Sequence, residues 1–321
     1  YRYNDRWTDY SLSHVGERGR DLAVWLSRFE ALETAGLSEQ DDLNRRLMVR
    51  NLKERLEDIE LKTYEMPIDQ MEGIHLLLAQ YVTLAPFESV GQFDQYVARL
   101  HGIPGVVDQV IEVLRQGVRD GLMPPRYLLE KTIPQCESIA GPVGEANLFA
   151  RPALHRLGEL PERERARLQD EVVAAVDHEV RPAYARLARF IADEYAPKGR
   201  TQAGVWSLPD GEARYRFAVR HWTTTDLGPD EIYALGLEEV ARIEAEQAVI
   251  AKKLGFSDLG SFRKSLKDDP RLFPRSSDEM LETYRRYIEQ MKPELPKHFG
   301  LLPTVPLRVL PIQGYRENES P

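Results

Sequence analysis

The sequence predicts a mostly all-α chain, a multi-helix array with a short strand or extended segment near its C-terminus. Three observations carry this expectation. Apolar residues recur three and four apart along most of the 321 residues. The interruptions between these stripes hold Gly, Pro, Thr and Asp, the residues that start and stop helices. A β-branched apolar run fenced by prolines occurs only at Leu307–Pro311, between Pro306 and Pro311. At least eight helices are expected, with little strand before Pro293. Residues 1–292 read as a helical domain and 293–321 as an extended segment.

The elements follow in order. Residues 1–16 are polar and aromatic without a period and are expected to wrap onto the body. Leu22, Trp25, Leu26, Phe29 and Leu32 mark a first helix, closed by Gly36. Ser38 with Asp41 opens a second, whose stripe is Leu43, Leu47, Leu56 and Ile59. After Pro67, residues from Gln70 to Thr83 form a short buried helix through Ile74, Leu77, Leu78 and Tyr81. Helices then run over Ser89–Leu100 and on from Pro104, followed by Arg126–Ala140 with a break or kink at Pro134. A long stripe through Val172, Val173, Val176, Val180, Tyr184, Leu187, Ile191 and Tyr195 predicts a helix that bends at Pro182.

The strongest signals lie between Trp206 and Gly255. Leu208-Pro209-Asp210-Gly211 is a turn from which Asp210 caps a helix with Tyr215, Ala218, Val219 and Trp222 on its apolar face. Thr223-Thr224-Thr225-Asp226 breaks it. Gly228-Pro229-Asp230-Glu231 then starts a second helix, with Pro in the first turn and two acids at the positive end. Its stripe is Ile232, Leu235, Gly236, Val240, Ile243, Ile250 and Leu254, and Gly255 stops it. Helices are also expected over Leu259–Leu266 and Asp278–Met291.

The same stretch resembles the bacterial domain-of-unknown-function family 885. The residues that carry the resemblance are Leu208-Pro209-x-Gly211, Tyr215, the Thr-rich break and Pro229-Asp230-Glu231-Ile232 leading to Leu235-Gly236-Leu237-Glu238-Glu239-Val240. Tyr3-Asn4-Asp5-Arg6, Pro67-x-x-Gln70-x-x-Gly73 and Tyr96-x-x-Arg99-Leu100 match other segments of the family in the same order. The resemblance implies the N-terminal part of a helical, zinc-metallopeptidase-like protein whose His-Glu-x-x-His helix lies in a missing C-terminal half. It implies zinc for that half and none in this chain, a peptide substrate, and a bacterial envelope or periplasmic location. In it, metal-activated water would attack a peptide carbonyl while a glutamate takes the proton. Gln70 would face the cleft, and Asp69 stands where the family usually has Asn.

Composition bounds the alternatives. A net charge of −9 argues against nucleic acid as the main partner. No run of eighteen apolar residues is present to span a membrane. One cysteine, Cys136, excludes an intrachain disulfide and a cysteine-rich zinc site. The seven histidines, His14, His75, His101, His155, His178, His221 and His298, include no pair three to five residues apart. Glu72-x-x-His75 has the spacing of a di-iron half-site but lacks a second copy. Phosphate-cradling glycine loops and the Gly-x-Ser-x-Gly elbow are absent.

Tyr215, Arg216, Phe217, Arg220, His221 and Trp222 cluster on one helix. Tyr215 and Arg220 could line a peptide groove in which Arg220 holds a substrate carboxylate. The plainer account puts Tyr215 and Trp222 in the core with the arginines in water. Two functions follow: the substrate-groove-forming part of a zinc-dependent peptidase with no catalytic residue in this chain, or a stand-alone helical binding or scaffold module. The segment after Gly314 is expected to be weakly held, and the Ile232–Leu254 helix well protected.

Overall fold

A computed structural model describes residues 2–311. It is all-α: helices α1 (Leu12–Glu30), α2 (Glu39–Glu60), α3 (Ile74–Leu84), α4 (Val90–Asp120), α5 (Arg126–Ala140), α6 (Arg151–Arg156), α7 (Glu162–Ala175), α8 (Arg181–Phe190), α9 (Gly211–Thr223), α10 (Pro229–Lys253), α11 (Leu259–Asp268), α12 (Ser277–Met291) and α13 (Leu295–His298). The only β pairing among the described residues is an isolated bridge between Pro125 and Arg200. Leu307–Leu310 forms no ladder, because an extended segment between prolines needs a neighbouring strand and none is present among the described residues. The carbonyl of Val309 instead accepts from Arg285 on α12.

The chain divides into two compact units at Thr223–Thr224, inside the Thr-rich break. In the first unit α5 packs along α8, while α4 lies against α7 and α8. Phe93, Leu100, Ile103 and Leu114 of α4 are buried together with Leu129 of α5 and Tyr184 and Leu187 of α8. Fully burying such side chains contributes about 1.5–3 kcal/mol each.

Two helices depart from the expectation that proline breaks them. α4 runs unbroken through Pro104 and α5 through Pro134. In α4 the indole of Trp7 donates to the carbonyl of Arg99 at 2.7 Å, beside the Leu100 carbonyl that Pro104 cannot reach. Around the predicted bend at Pro182, two π turns flank α8: Val176–Val180, which joins it to α7, and Ile191–Tyr195 after it. The buried stripe there is Leu168, Val172, Val176, Val180, Tyr184, Leu187, Ile191 and Tyr195, spaced mostly by four. A four-residue repeat drifts off the face of an α-helix, and wider π turns bring it back.

The second unit is built differently. Arg263 of α11 reaches Glu244 and Gln247 of α10, and Phe256 meets Phe262 at 5.3 Å between ring centroids. Among its described residues only Ala251 is buried. The helix predicted from Gly228 to Gly255 is therefore present, but Leu235, Val240, Ile243, Ile250 and Leu254 of its stripe are exposed. α13 occupies part of the segment expected to be extended, and the segment from Gly314 onward lies outside the described residues.

Candidate functional site

A groove of about 590 Å³ lies between α2 and α9 in the first unit. Its geometry starts from the turn before α9. Asp210 adopts a left-handed φ of 54°, and a Cβ on Gly211 would meet the Trp206 Cα at 2.5 Å and the Val205 carbonyl at 2.6 Å. Only glycine allows this approach. The turn sets the phase of α9 so that Arg214, Phe217, Ala218, His221 and Trp222, spaced three and four apart, line the groove. Asp58 of α2 and Met66 line the other side.

Arg214 lies at the base, 7% exposed. Its Nε donates to the Pro209 carbonyl at 2.7 Å, its Nη1 is buried without a hydrogen-bond partner, and no ion pair among the described residues includes it. Burial lowers its pKa, opposed by the charges of Asp210, Glu65 and Asp58. Glu65, 1% exposed, sits nearby with Oε2 unpartnered. Burial and the neighbouring Asp120 raise its pKa, while Lys62 and Arg214 pull it down. The buried hydroxyl of Tyr195 is likewise unpartnered, and burial followed by the charge of Glu65 raises its pKa. Unsatisfied buried polar atoms are costly, about 1–3 kcal/mol each, and of these three Arg214 lines the groove, which marks it as a candidate site.

The rim is closed by contacts between α2 and α9. Arg220 holds both carboxylate oxygens of Glu57 at 2.7 Å, Glu54 accepts from Arg50 at 2.7 Å, and Glu54 pairs with His221 at 3.0 Å. The Arg50 guanidinium also donates to the Arg220 carbonyl at 3.2 Å. His221 stands edge-on to Trp222 with centroids 5.1 Å apart.

The residues singled out in the sequence separate in space. Tyr215 is 46% exposed and Trp222 80% exposed, so neither is in the core. Trp222 lines the groove, while Tyr215 and Arg220 fall outside the set of lining residues, and the guanidinium of Arg220 is engaged by Glu57. Asp69 accepts the backbone N–H groups of Met71 and Glu72, both at 2.7 Å, and Gly73 precedes α3, which begins at Ile74, four residues later than expected. Gln70 is buried, and its carbonyl accepts from Gln135 at 2.9 Å. Gln135 Oε1 in turn accepts from His75 Nε2 at 2.9 Å, and Tyr184 donates to the His75 carbonyl at 2.7 Å. His75 is fully buried while Glu72 is exposed, so the two share no metal site. Cys136 is also buried, and desolvation raises its thiol pKa. His101 pairs with Glu179 at 2.7 Å and His14 with Glu17 at 3.5 Å. Among the described residues no three His, Cys, Asp or Glu side chains are grouped to hold a metal ion. No helix among them is long and apolar enough to cross a membrane.

The family described as bacterial protein of unknown function, DUF885, matches residues 1–321. The chain belongs to that family. No curated protein matches it. Among solved structures, DUF885 residues of this chain superpose on a candidate lipoprotein from Colwellia psychrerythraea with a TM-score of 0.82 at 19% identity. The match covers 94% of this chain and 55% of that one, so this DUF885 chain spans about half the length of its structural neighbour. At that identity the likeness shows the fold.

Arg214, Asp58 and Glu65 were not legible as site residues. The one available signal is that Arg214 shares the helical phase of Phe217, Ala218 and His221, an arginine within an otherwise apolar-aromatic face.

Proposed function

We propose that this chain forms the substrate-groove wall of a zinc-dependent peptidase whose metal and general base are supplied by residues outside it. The observation that carries the proposal is the lining of the α2–α9 groove. It places an unpaired buried arginine at the base, carboxylates at Asp58 and Glu54, and apolar surface from Met66, Phe217 and Trp222 in one cleft. Its volume lies in the ordinary range of ligand clefts, about 300–1,000 Å³. A short zwitterionic peptide matches this chemistry: its carboxylate pairs with Arg214, its ammonium with Asp58, and its side chains lie on the aromatic wall. The exposed apolar stripe of α10 in the second unit and the greater length of the Colwellia structure support a longer protein. The description of that structure as a candidate lipoprotein supports an envelope location.

Calorimetric titration of tetra-alanine and of its C-terminal amide tests the groove. The free acid is expected to bind at least about tenfold more tightly than the amide, a difference of about 1.4 kcal/mol. Arg214→Met should remove the difference, while Tyr215→Ala should leave it unchanged. Equal binding of acid and amide would remove the peptide from the proposal. For the peptidase, the chain extended by the sequence that follows it in its gene should retain one zinc and cleave the same peptide. An extended protein with neither property would leave the alternative, a helical binding or scaffold module.

A further inference from the structure

A second cavity, of about 520 Å³, lies in the first unit between the N-terminal segment, α3 and α4. Its walls are aromatic and aliphatic: Trp7, Tyr10 and Tyr81, with Ile74, Leu77 and Leu84. Two cations lie among them, Arg6, which is paired with Asp5, and Arg99. The Arg99 guanidinium lies 3.6 Å from the Tyr81 ring centroid and 4.6 Å from that of Trp7. Trp7 and Tyr81 meet edge-to-face at 5.2 Å.

The charge of Arg99 is not answered. No ion pair among the described residues includes it. Asp5, the nearby carboxylate, is gripped by Arg6 at 3.1 and 3.3 Å. Of the guanidinium donors, Nη2 bonds to the Tyr3 carbonyl at 2.8 Å, and Nε is buried without a partner. Burial lowers the pKa of Arg99, with Tyr81 and Asp5 opposing. Anchoring the N-terminal segment explains only part of this. That segment is also held by Trp7 Nε1 on the Arg99 carbonyl at 2.7 Å and by Gln109 accepting from the Tyr10 N–H at 2.9 Å. A neutral side chain could make the single bond to Tyr3, whereas a partly desolvated guanidinium costs more and gains most from an anion.

We propose that this cavity binds a small carboxylate with an apolar body, its anionic end on Arg99 and its body between Trp7, Tyr81 and Leu77. The Tyr81 and Trp7 rings, inclined at 70° to one another, both lie against the guanidinium, and its Nε is the donor left for a carboxylate. The aliphatic wall from α3 supplies the complementary surface. The site is separate from the α2–α9 groove and stands whether or not that groove binds peptides.

The test uses 3-phenylpropionate, with 3-phenylpropionamide as its neutral counterpart, followed by the NMR shift of the Trp7 indole N–H. The acid is expected to shift that resonance saturably and to bind at least about tenfold more tightly than the amide. Leu77→Trp, which fills the cavity and leaves Arg99 intact, should abolish binding. Arg99→Gln should reduce acid binding to the level of the amide, and Arg214→Met should change nothing. Equal binding of acid and amide overturns the proposal, as does the absence of a saturable shift or undiminished binding to Leu77→Trp. Should Arg99→Gln fail to fold, the acid–amide comparison and Leu77→Trp still decide.

Discussion

At the scale of single residues, His75 is the most constrained ionisable group. It is fully buried, bonded through Nε2 to Gln135, and its Nδ1 has no partner. A Cβ on Gly73 would lie 2.7 Å from its Cε1, so the ring fills the space that glycine leaves. Desolvation lowers its pKa below the ordinary 6.5, opposed by the Gln135 bond and the charge of Asp69. The unfolded chain therefore binds a proton at His75 more readily than the folded one. The stability contributed by the neutral ring is present above pH 6.5 and lost as pH falls below it. The loss is expected to approach about 1.4 kcal/mol per pH unit. Comparing denaturation midpoints of the wild type and His75→Gln between neutral pH and pH 5 checks this. The wild type should show the steeper fall, and parallel curves would mean that the ring charges without unfolding.

At the scale of elements, the helices keep their continuity by local repair. α4 passes Pro104 with the Trp7 indole on the neighbouring Arg99 carbonyl, and Arg186 reaches the Pro104 carbonyl at 3.4 Å. Pro104→Ala restores a backbone N–H in mid-helix but also frees the unfolded chain. A net gain of about 1 kcal/mol is expected, read as a higher thermal midpoint. A net loss would show that the packing of α4 on α8 depends on the proline. The repeat of four along Leu168 to Tyr195 was visible in the sequence, and its excess over 3.6 was the trace of the π turns. The phase of α9 was not visible. Tyr215 and Trp222 match a helical stripe as well as Arg214, Phe217 and His221 do, and the choice was made by the Gly211 turn and the ion pairs to α2.

At the scale of the whole molecule, the two units differ in how much they bury. The first has a core through α4, α5, α7 and α8, whereas the second buries only Ala251 among its described residues. Local opening is easiest where few apolar contacts must be broken. Native-state hydrogen exchange should therefore find α10 far less protected than the buried turns of α4 and α8. Protection of α10 equal to that of α4 would show that its exposed face is covered in solution. A covering element would lower the binding of a hydrophobic dye to Val240, Ile243 and Ile250, which is expected to be strong for this chain.

By itself the sequence determined the helical class, the starts of α2, α5, α9, α10 and α11, and the family. Those depend on caps, periods and short motifs, which are local and survive any packing: Ser38 accepts from the Asp41 N–H at 3.1 Å, as its spacing predicts. Tertiary structure alone decided which stripes are covered, where the chain divides and which charges lack a partner. Arg99 and Arg214 look like any surface arginine in the sequence, and Arg220 looks like a better ligand than either. Only the fold brings Glu57, 163 positions away, to Arg220, while among the described residues neither of the other two forms an ion pair.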